Sequence, residues 1–261
     1  MRKYILLNLT GLLVFFLFTC MFTSCGKSGK SKPETEESSK PKSGGFFKWL
    51  MPFASARDKD ARIKCVNNLN SIGKATIGFT VDNGARTPWN LIPSQQRNHF
   101  GSNYNLTVGS IFGLAAMKSE VQTAKILISP CDKGRFAANE KVQEDWRNYN
   151  TKGGKPIPHD GLSYGFCAGG DFQRPATVVA MTRNLSTDDL ATAGWVGAED
   201  AKRGMAGLQV GQGQVVRADG SASQSTSADL GANGKFIKSH IASRGGTSPL
   251  GASRTGVILP Y

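Results

Sequence analysis

The chain has 261 residues, with 32 Lys and Arg against 19 Asp and Glu and a formal net charge of +13. The basic residues are scattered and no Lys/Arg cluster alternates with aromatics, which argues against nucleic acid and points to an acidic partner surface such as anionic lipid or polysaccharide. Three histidines and no C-x-x-C pair argue against a zinc site, and 31 Gly among many Ser, Thr and Asn favour a loop-rich α+β domain.

The N-terminus reads as a secretory signal, residues 1–24. Arg2 and Lys3 form its positive end, and Gly11-Leu-Leu-Val-Phe-Phe-Leu-Phe18 its apolar stretch. Phe22-Thr23-Ser24-Cys25-Gly26 fits the bacterial lipoprotein signal, in which small residues precede a cysteine that becomes the mature N-terminus. Cys25 is therefore the expected lipidation site. Cys20 fits less well, because bulky Phe18 stands two residues before it. An uncleaved anchor is the competing reading, but an apolar run of about 14 residues is short for a span. Acyl chains contribute about 0.8 kcal/mol per buried methylene, so a multiply acylated Cys25 anchors the chain firmly. Gly26 in place of the Asp that retains lipoproteins at the inner membrane favours the outer membrane. The mature chain keeps thirty basic against nineteen acidic residues, a net charge near +11.

Residues 25–45 read as a flexible linker. They hold Lys, Ser, Glu, Gly, Thr and Pro with no large apolar side chain, so they cannot build a core. A coil of this length reaches about 25 Å. The apolar run Phe46 to Phe53 follows, too short to span a membrane. It suits a helix start, an interfacial contact or a partner contact.

A domain is expected over 46–228, organised on one long helix over Leu50–Phe79. Cys65, Leu69, Ile72, Thr76 and Phe79 recur at four- and three-residue steps and share one face. Arg57, Asp58, Lys59, Asp60, Arg62 and Lys64 crowd the upstream half, which must be mostly solvated. Asp82-Asn83-Gly84 ends the helix. Residues 85–105 read as a long surface loop, 109–118 as a short helix, 124–128 as a strand broken by Ser129-Pro130, and Glu140–Trp146 as a possible helix.

Strand signals follow at Leu162–Cys167, Thr177–Thr182, Leu208–Val210, Gln214–Ala218 and Ser221–Ser225. Asp219-Gly220 between the last two predicts a type I′ hairpin, because Gly accepts positive φ. After Asp229 the chain has no acid and is rich in Gly and Ser. Residues 229–261 therefore read as a basic tail with a short helix at Lys235–Ala242.

No chemistry-bearing motif is well supported. Gly161-Leu162-Ser163-Tyr164-Gly165 matches the G-x-S-x-G nucleophile elbow, but the sequence after it is a poor helix and His240 is the only histidine downstream. An exported hydrolase using Ser163 is accordingly the alternative reading. A third is an envelope protein that binds anionic glycans. Asp188-Asp189 and Glu199-Asp200 lack the D-x-D-x-D-G spacing of a calcium loop. Gly211-Gln-Gly213 lacks the third glycine of a dinucleotide site and reads as a hairpin turn. No cofactor, metal or catalytic residue is expected, and the protein reads as a binding or structural part.

Four segments carry a family resemblance. The first is Leu50-Met51-Pro52, Ala56-Arg57, Ala61-Arg62 and Cys65-Val-Asn-Asn-Leu-Asn-Ser-Ile-Gly73; it is similar to the first helix of type II secretion pseudopilin-like proteins. Ser129-Pro130-Cys131-Asp132 resembles that family's cysteine–proline–aspartate element, with Pro and Cys exchanged. Leu162-Ser-Tyr-Gly165 resembles its aromatic strand, and Gly213-Gln-Val-Val-Arg-Ala-Asp219-Gly220 its terminal hairpin. The resemblance implies an α+β fold with a long N-terminal helix on an antiparallel sheet. It also implies a structural or recognition role beside secretion or pilus-like components, held to a membrane through the lipid. Gln209 stands where the family often has His. Leu50 replaces the Glu of the pilin membrane helix, whose spanning half gives way to the lipid anchor and linker. In an oxidising compartment one disulfide among Cys65, Cys131 and Cys167 is expected. The resemblance favours Cys65–Cys131, and Cys131–Cys167 is the competing pair.

Overall fold

The computed structural model describes residues 45–261 apart from 103, 242–246, 249, 250, 253 and 254, with side chains over 57–240 (except 103) and 255–261. The signal sequence, Cys25, the linker before Gly45 and the side chains of 46–53 lie outside the described residues. Every described element belongs to one compact unit, Gly44–Tyr261.

Helix α1 runs Gly45–Asp82, 38 residues, or about 57 Å at 1.5 Å per residue. The apolar seam is where its spacing places it: Cys65, Leu69, Ile72, Thr76 and Phe79 are all buried, while residues 57–60 are exposed. The helix stops through a Schellman-type cap. Gly84 takes φ +65° and the Ala85 N–H donates back to the Thr80 carbonyl at 2.9 Å.

Four short helices follow: α2 (Pro93–Phe100), α3 (Val108–Phe112), α4 (Ala115–Val121) and α5 (Phe136–Glu144). Strands β1 (Tyr164–Cys167), β2 (Val178–Thr182), β3 (Gln212–Arg217) and β4 (Ala222–Thr226) then form an antiparallel meander. Helix α6 (Lys235–Ile241) and a small ribbon, β5 (Thr247–Ser248) with β6 (Gly251–Ala252), lead to β7 (Val257–Ile258). The sheet order is β4-β3-β2-β1-β7, so the chain returns to cover the β1 edge.

Both faces of the sheet are buried over β1, β2 and the middle of β3. On one side Phe166 and Val216 meet Leu69, Ile72 and Phe79 of α1 together with Phe112 and Met117. On the other, Met181 and Val215 meet Leu185, Leu190, Trp195, Leu230, Phe236 and Ile237. The protein is thus α+β in three layers: helices, sheet, and a largely irregular third layer closed by α6. Two glycines let these layers touch. A Cβ on Gly73 of α1 would stand 2.6 Å from Val216 Cγ2, and one on Gly213 of β3 would fall 2.2 Å from the Trp195 ring.

Several expectations are corrected. The segment after 228 is no tail: Leu230, Phe236, Ile237, His240 and Val257 are buried, because the sheet's second face needs a cover. Residues 85–105 contain α2 and bury Trp89, Leu91 and Phe100. Residues 124–127 form a 3₁₀ turn rather than a strand; both edges of β1 are already taken, by β2 and β7. Leu208–Val210 is irregular rather than a strand, and Gly213 lies inside β3 rather than in a hairpin turn.

The Asp219-Gly220 hairpin is also of another type. Gly220 N–H donates to Arg217 O at 2.9 Å and Arg217 N–H to Ser221 O at 3.0 Å. Gly220 alone takes positive φ, +83°. This is a type I turn followed by a left-handed Gly in a three-residue loop, not the two-residue I′ turn, which needs positive φ at both central residues.

Candidate functional site

A dense group of polar side chains lies where the turn after the 124–127 helix meets the start of β1 and the end of β2. Asp132 is buried and binds Arg183 through two hydrogen bonds, Nε to Oδ2 at 2.7 Å and Nη2 to Oδ1 at 2.9 Å. Ser163 donates to the same carboxylate at 2.8 Å. The remaining guanidinium hydrogens of Arg183 reach the carbonyls of Arg203 at 3.0 Å and Gly204 at 2.8 Å. Burial works to lower the Arg183 pKa, but Asp132 outweighs it and leaves the guanidinium above its ordinary value. Arg135 adds a second clasp, donating to His159 O at 2.6 Å, to Leu162 O, and to Pro260 O at 3.1 Å. Tyr261 Oη closes the group on Arg183 O at 2.5 Å. Every one of these bonds joins segments far apart in sequence, which is how a loop-rich layer is held in one arrangement.

Beside this hub an open cleft of about 390 Å³ separates α1 from α5. Ile126, Ile128, Pro130 and Phe136 make it mainly apolar, with Lys64 and Glu140 on its sides. Phe136 is 38% exposed although it is a large apolar side chain. Asn68 of α1 fixes one wall by donating to Ile128 O at 3.1 Å. Asn139 of α5 fixes the other by donating to Ala124 O and Gly161 O at 3.1 and 2.9 Å. The cleft offers a mainly apolar contact surface that is open to solvent.

The residues singled out in the sequence take structural places. Cys65, Cys131 and Cys167 are buried thiols, none in a disulfide. Burial pushes Cys65 and Cys167 up to about 12. Ser163 is wholly buried, precedes β1 and bonds to a carboxylate rather than to a histidine. His240 is in the core, where Nε2 accepts from Val178 N–H at 3.0 Å. The paired acids hold turns: Asp189 accepts from Ala191 N–H, Glu199 from Gly197 N–H, and Asp200 from Lys202 and Arg203 N–H. Among the described residues no His, Cys, Asp and Glu cluster could hold a metal. Nor is any described helix long and apolar enough to cross a membrane.

No family model, curated protein or solved structure matches the chain. The site must therefore be read from its own contacts. Those contacts bring together four segments that are far apart in sequence. Asn70 Nδ2 donates to Gly220 O at 2.8 Å, joining α1 to the Asp219-Gly220 turn. Cys65 Sγ lies 3.5 Å from Tyr164 Oη, joining α1 to β1. Ser163 and Asp132 join β1 to the Ser129–Asp132 turn. Arg183, Arg135 and the cleft are not among the features that sequence patterns pick out. The one available signal is an Arg directly after the apolar run Val178–Thr182, where burial without a partner carboxylate would be costly.

Proposed function

We propose that the protein is a lipid-anchored envelope protein whose pseudopilin-like domain has a structural or recognition role in or near a type II secretion or pilus-like assembly. One observation carries this reading. The Cys65–Gly73 stretch, the Ser129–Asp132 turn, the Leu162–Gly165 segment and the Asp219-Gly220 hairpin touch one another through specific side chains. A set of short motifs that resemble one family is therefore also a single structural unit. Asn68 and Asn70 of the helix motif each have a partner, and its closing Gly is required by Val216.

In this reading the lipid on Cys25 holds the domain at the membrane and the linker sets its distance. The cleft between α1 and α5 is the recognition surface, because it is the apolar, open part of a domain whose polar centre is closed. The decisive experiment is crosslinking in the envelope of the native cell, comparing the wild type with Phe136→Asp. The expected outcome is crosslinks to secretion or pilus-like components that Phe136→Asp removes while the circular dichroism spectrum is kept. Crosslinks to none of these components, in a strain that expresses the assembly, would overturn the assignment. Palmitate labelling lost in Cys25→Ser tests the anchor separately.

A further inference from the structure

The two edges of the five-stranded sheet are treated differently. At one edge β7 has only two residues, Val257–Ile258, and Pro260 follows it. A very short strand and a proline both close an edge to further pairing. At the other edge stands β4, Ala222-Ser-Gln-Ser-Thr226, five residues with no charge and no proline. Its pairing with β3 runs without a register shift from Val216↔Ala222 to Gln212↔Thr226. No described strand lies beyond it, and Gln224 and Thr226 are exposed.

The hydrogen bonds around β4 fix where its backbone points. Arg217 N–H donates to Ser221 O at 3.0 Å, and Ser227 N–H to Gly211 O at 3.2 Å. In an antiparallel ladder these two set the alternation between them. Ser223 and Ser225 turn their backbone groups to β3, while Ala222, Gln224 and Thr226 turn theirs away from it. Gln214, opposite Gln224 in the register, accordingly sends its own N–H toward β2, where it meets Thr182 Oγ1 at 3.1 Å. The Thr226 N–H is taken by Asp229 Oδ2 at 2.8 Å, which leaves Gln224 at the centre of the open stretch.

We infer that β4 pairs antiparallel with the β4 of a second copy of this chain, about a two-fold axis at Gln224, so that two sheets become one. Gln224 presents an outward donor and an outward acceptor side by side and is therefore complementary to itself. The two Gln224 residues exchange both backbone bonds, and each Ala222 N–H reaches the Thr226 carbonyl of the other copy. Charge favours the same occupant. In a chain of net charge +13, residues 220–227 carry no charge, so two copies meet there without setting like charges opposite each other within the strands. This pairing goes beyond the role proposed above and does not depend on it.

The full chain is purified in detergent, and its protein mass is measured by light scattering at about 0.1 mM with the detergent contribution subtracted. The expected mass is that of a dimer. Gln224→Pro removes an N–H that β3 does not use, and is expected to give a monomer with the wild-type circular dichroism spectrum. Gln224→Lys and Gln224→Glu each set like charges opposite each other across the axis, and each is expected to weaken self-association by about 5-fold or more. An equimolar mixture of the two restores it, read by co-purification of differently tagged chains. The charge variants leave the backbone as it is, so they carry the test if Gln224→Pro does not fold. A monomeric wild type would overturn the pairing, and one that takes up a foreign peptide strand would assign the edge to another partner. A dimer that both charge variants leave intact, or charge variants that do not rescue each other, would equally overturn it.

Discussion

Asp132 and Arg183 face each other fork to fork in the interior, with Nε–Oδ2 at 2.7 Å and Nη2–Oδ1 at 2.9 Å, both side chains less than a tenth exposed. Such a pair contributes little net stability compared with an apolar replacement of both members. Removing one member is different, because a buried charge is left behind. Arg183→Met is therefore expected to cost about 3–5 kcal/mol, read as a lower midpoint in urea unfolding. Replacing both, as Asp132→Leu with Arg183→Met, recovers a large part of that loss. If Arg183→Met unfolds at the wild-type midpoint, the pair is not buried as described.

The contact of Gly73 with Val216 gives a second test. A methyl at 73 would stand 2.6 Å from Val216 Cγ2, and a branched side chain in a strand has no free end to swing away. In an isolated helix Gly→Ala would stabilise by up to about 1 kcal/mol. Overpacking outweighs it, and Gly73→Ala is expected to lose about 1–3 kcal/mol. The double variant with Val216→Ala should recover part of the Gly73→Ala loss. Equilibrium denaturation of both singles and the double measures the coupling.

These particulars show what the sequence could and could not carry. The α1 seam was legible because its spacing is a local property, as were β1, β2 and the Asp219-Gly220 turn position. Asn68, Asn70 and Gly73 have visible identities but no visible reasons, since their partners Ile128, Gly220 and Val216 are remote in the chain. The region after 229 reads as a tail because its composition is that of one. Its few apolar residues matter only once the second face of the sheet exists to receive them. The Asp132–Arg183 pair leaves only one local trace, an Arg directly after an apolar run, because its two members stand 51 residues apart.

The C-terminal strand is a third case. Ala168 N–H donates to Gly256 O at 2.9 Å, and Phe166 and Cys167 are paired with Ile258 and Val257. A Cβ on Gly165 would stand 2.8 Å from Ile258 O and 2.8 Å from Leu259 Cδ2. Gly165→Ala is thus expected to push β7 off the β1 edge. Amide exchange should speed at Ala168 by about 10-fold or more, with a stability loss of about 1–3 kcal/mol. Unchanged protection at Ala168 would show that β7 is not the fifth strand.

The Asp219-Gly220 turn responds to pH. The Ser221 hydroxyl, and then the Ser221 N–H, donate to Asp219 Oδ1 at 2.5 and 2.8 Å. They hold its carboxyl below the usual range against a smaller effect of burial. A carboxyl depressed in the folded state adds stability that is fully present above its unfolded pKa of about 3.9 and is lost as pH falls through the folded value. The loss therefore starts near pH 4 and proceeds downward. The group is largely exposed, so solvent screening keeps its share below about 1 kcal/mol. Asp219→Asn should flatten this part of the acid limb and leave stability at pH 7 within that amount. Urea midpoints measured from pH 7 down to pH 2.5 for both proteins make the comparison, and identical slopes below pH 4 would remove Asp219 from the acid response. Gly220→Ala at φ +83° acts on the same turn through the backbone, about 1 kcal/mol at every pH. Its curve should run parallel to the wild type, where that of Asp219→Asn converges toward it in acid.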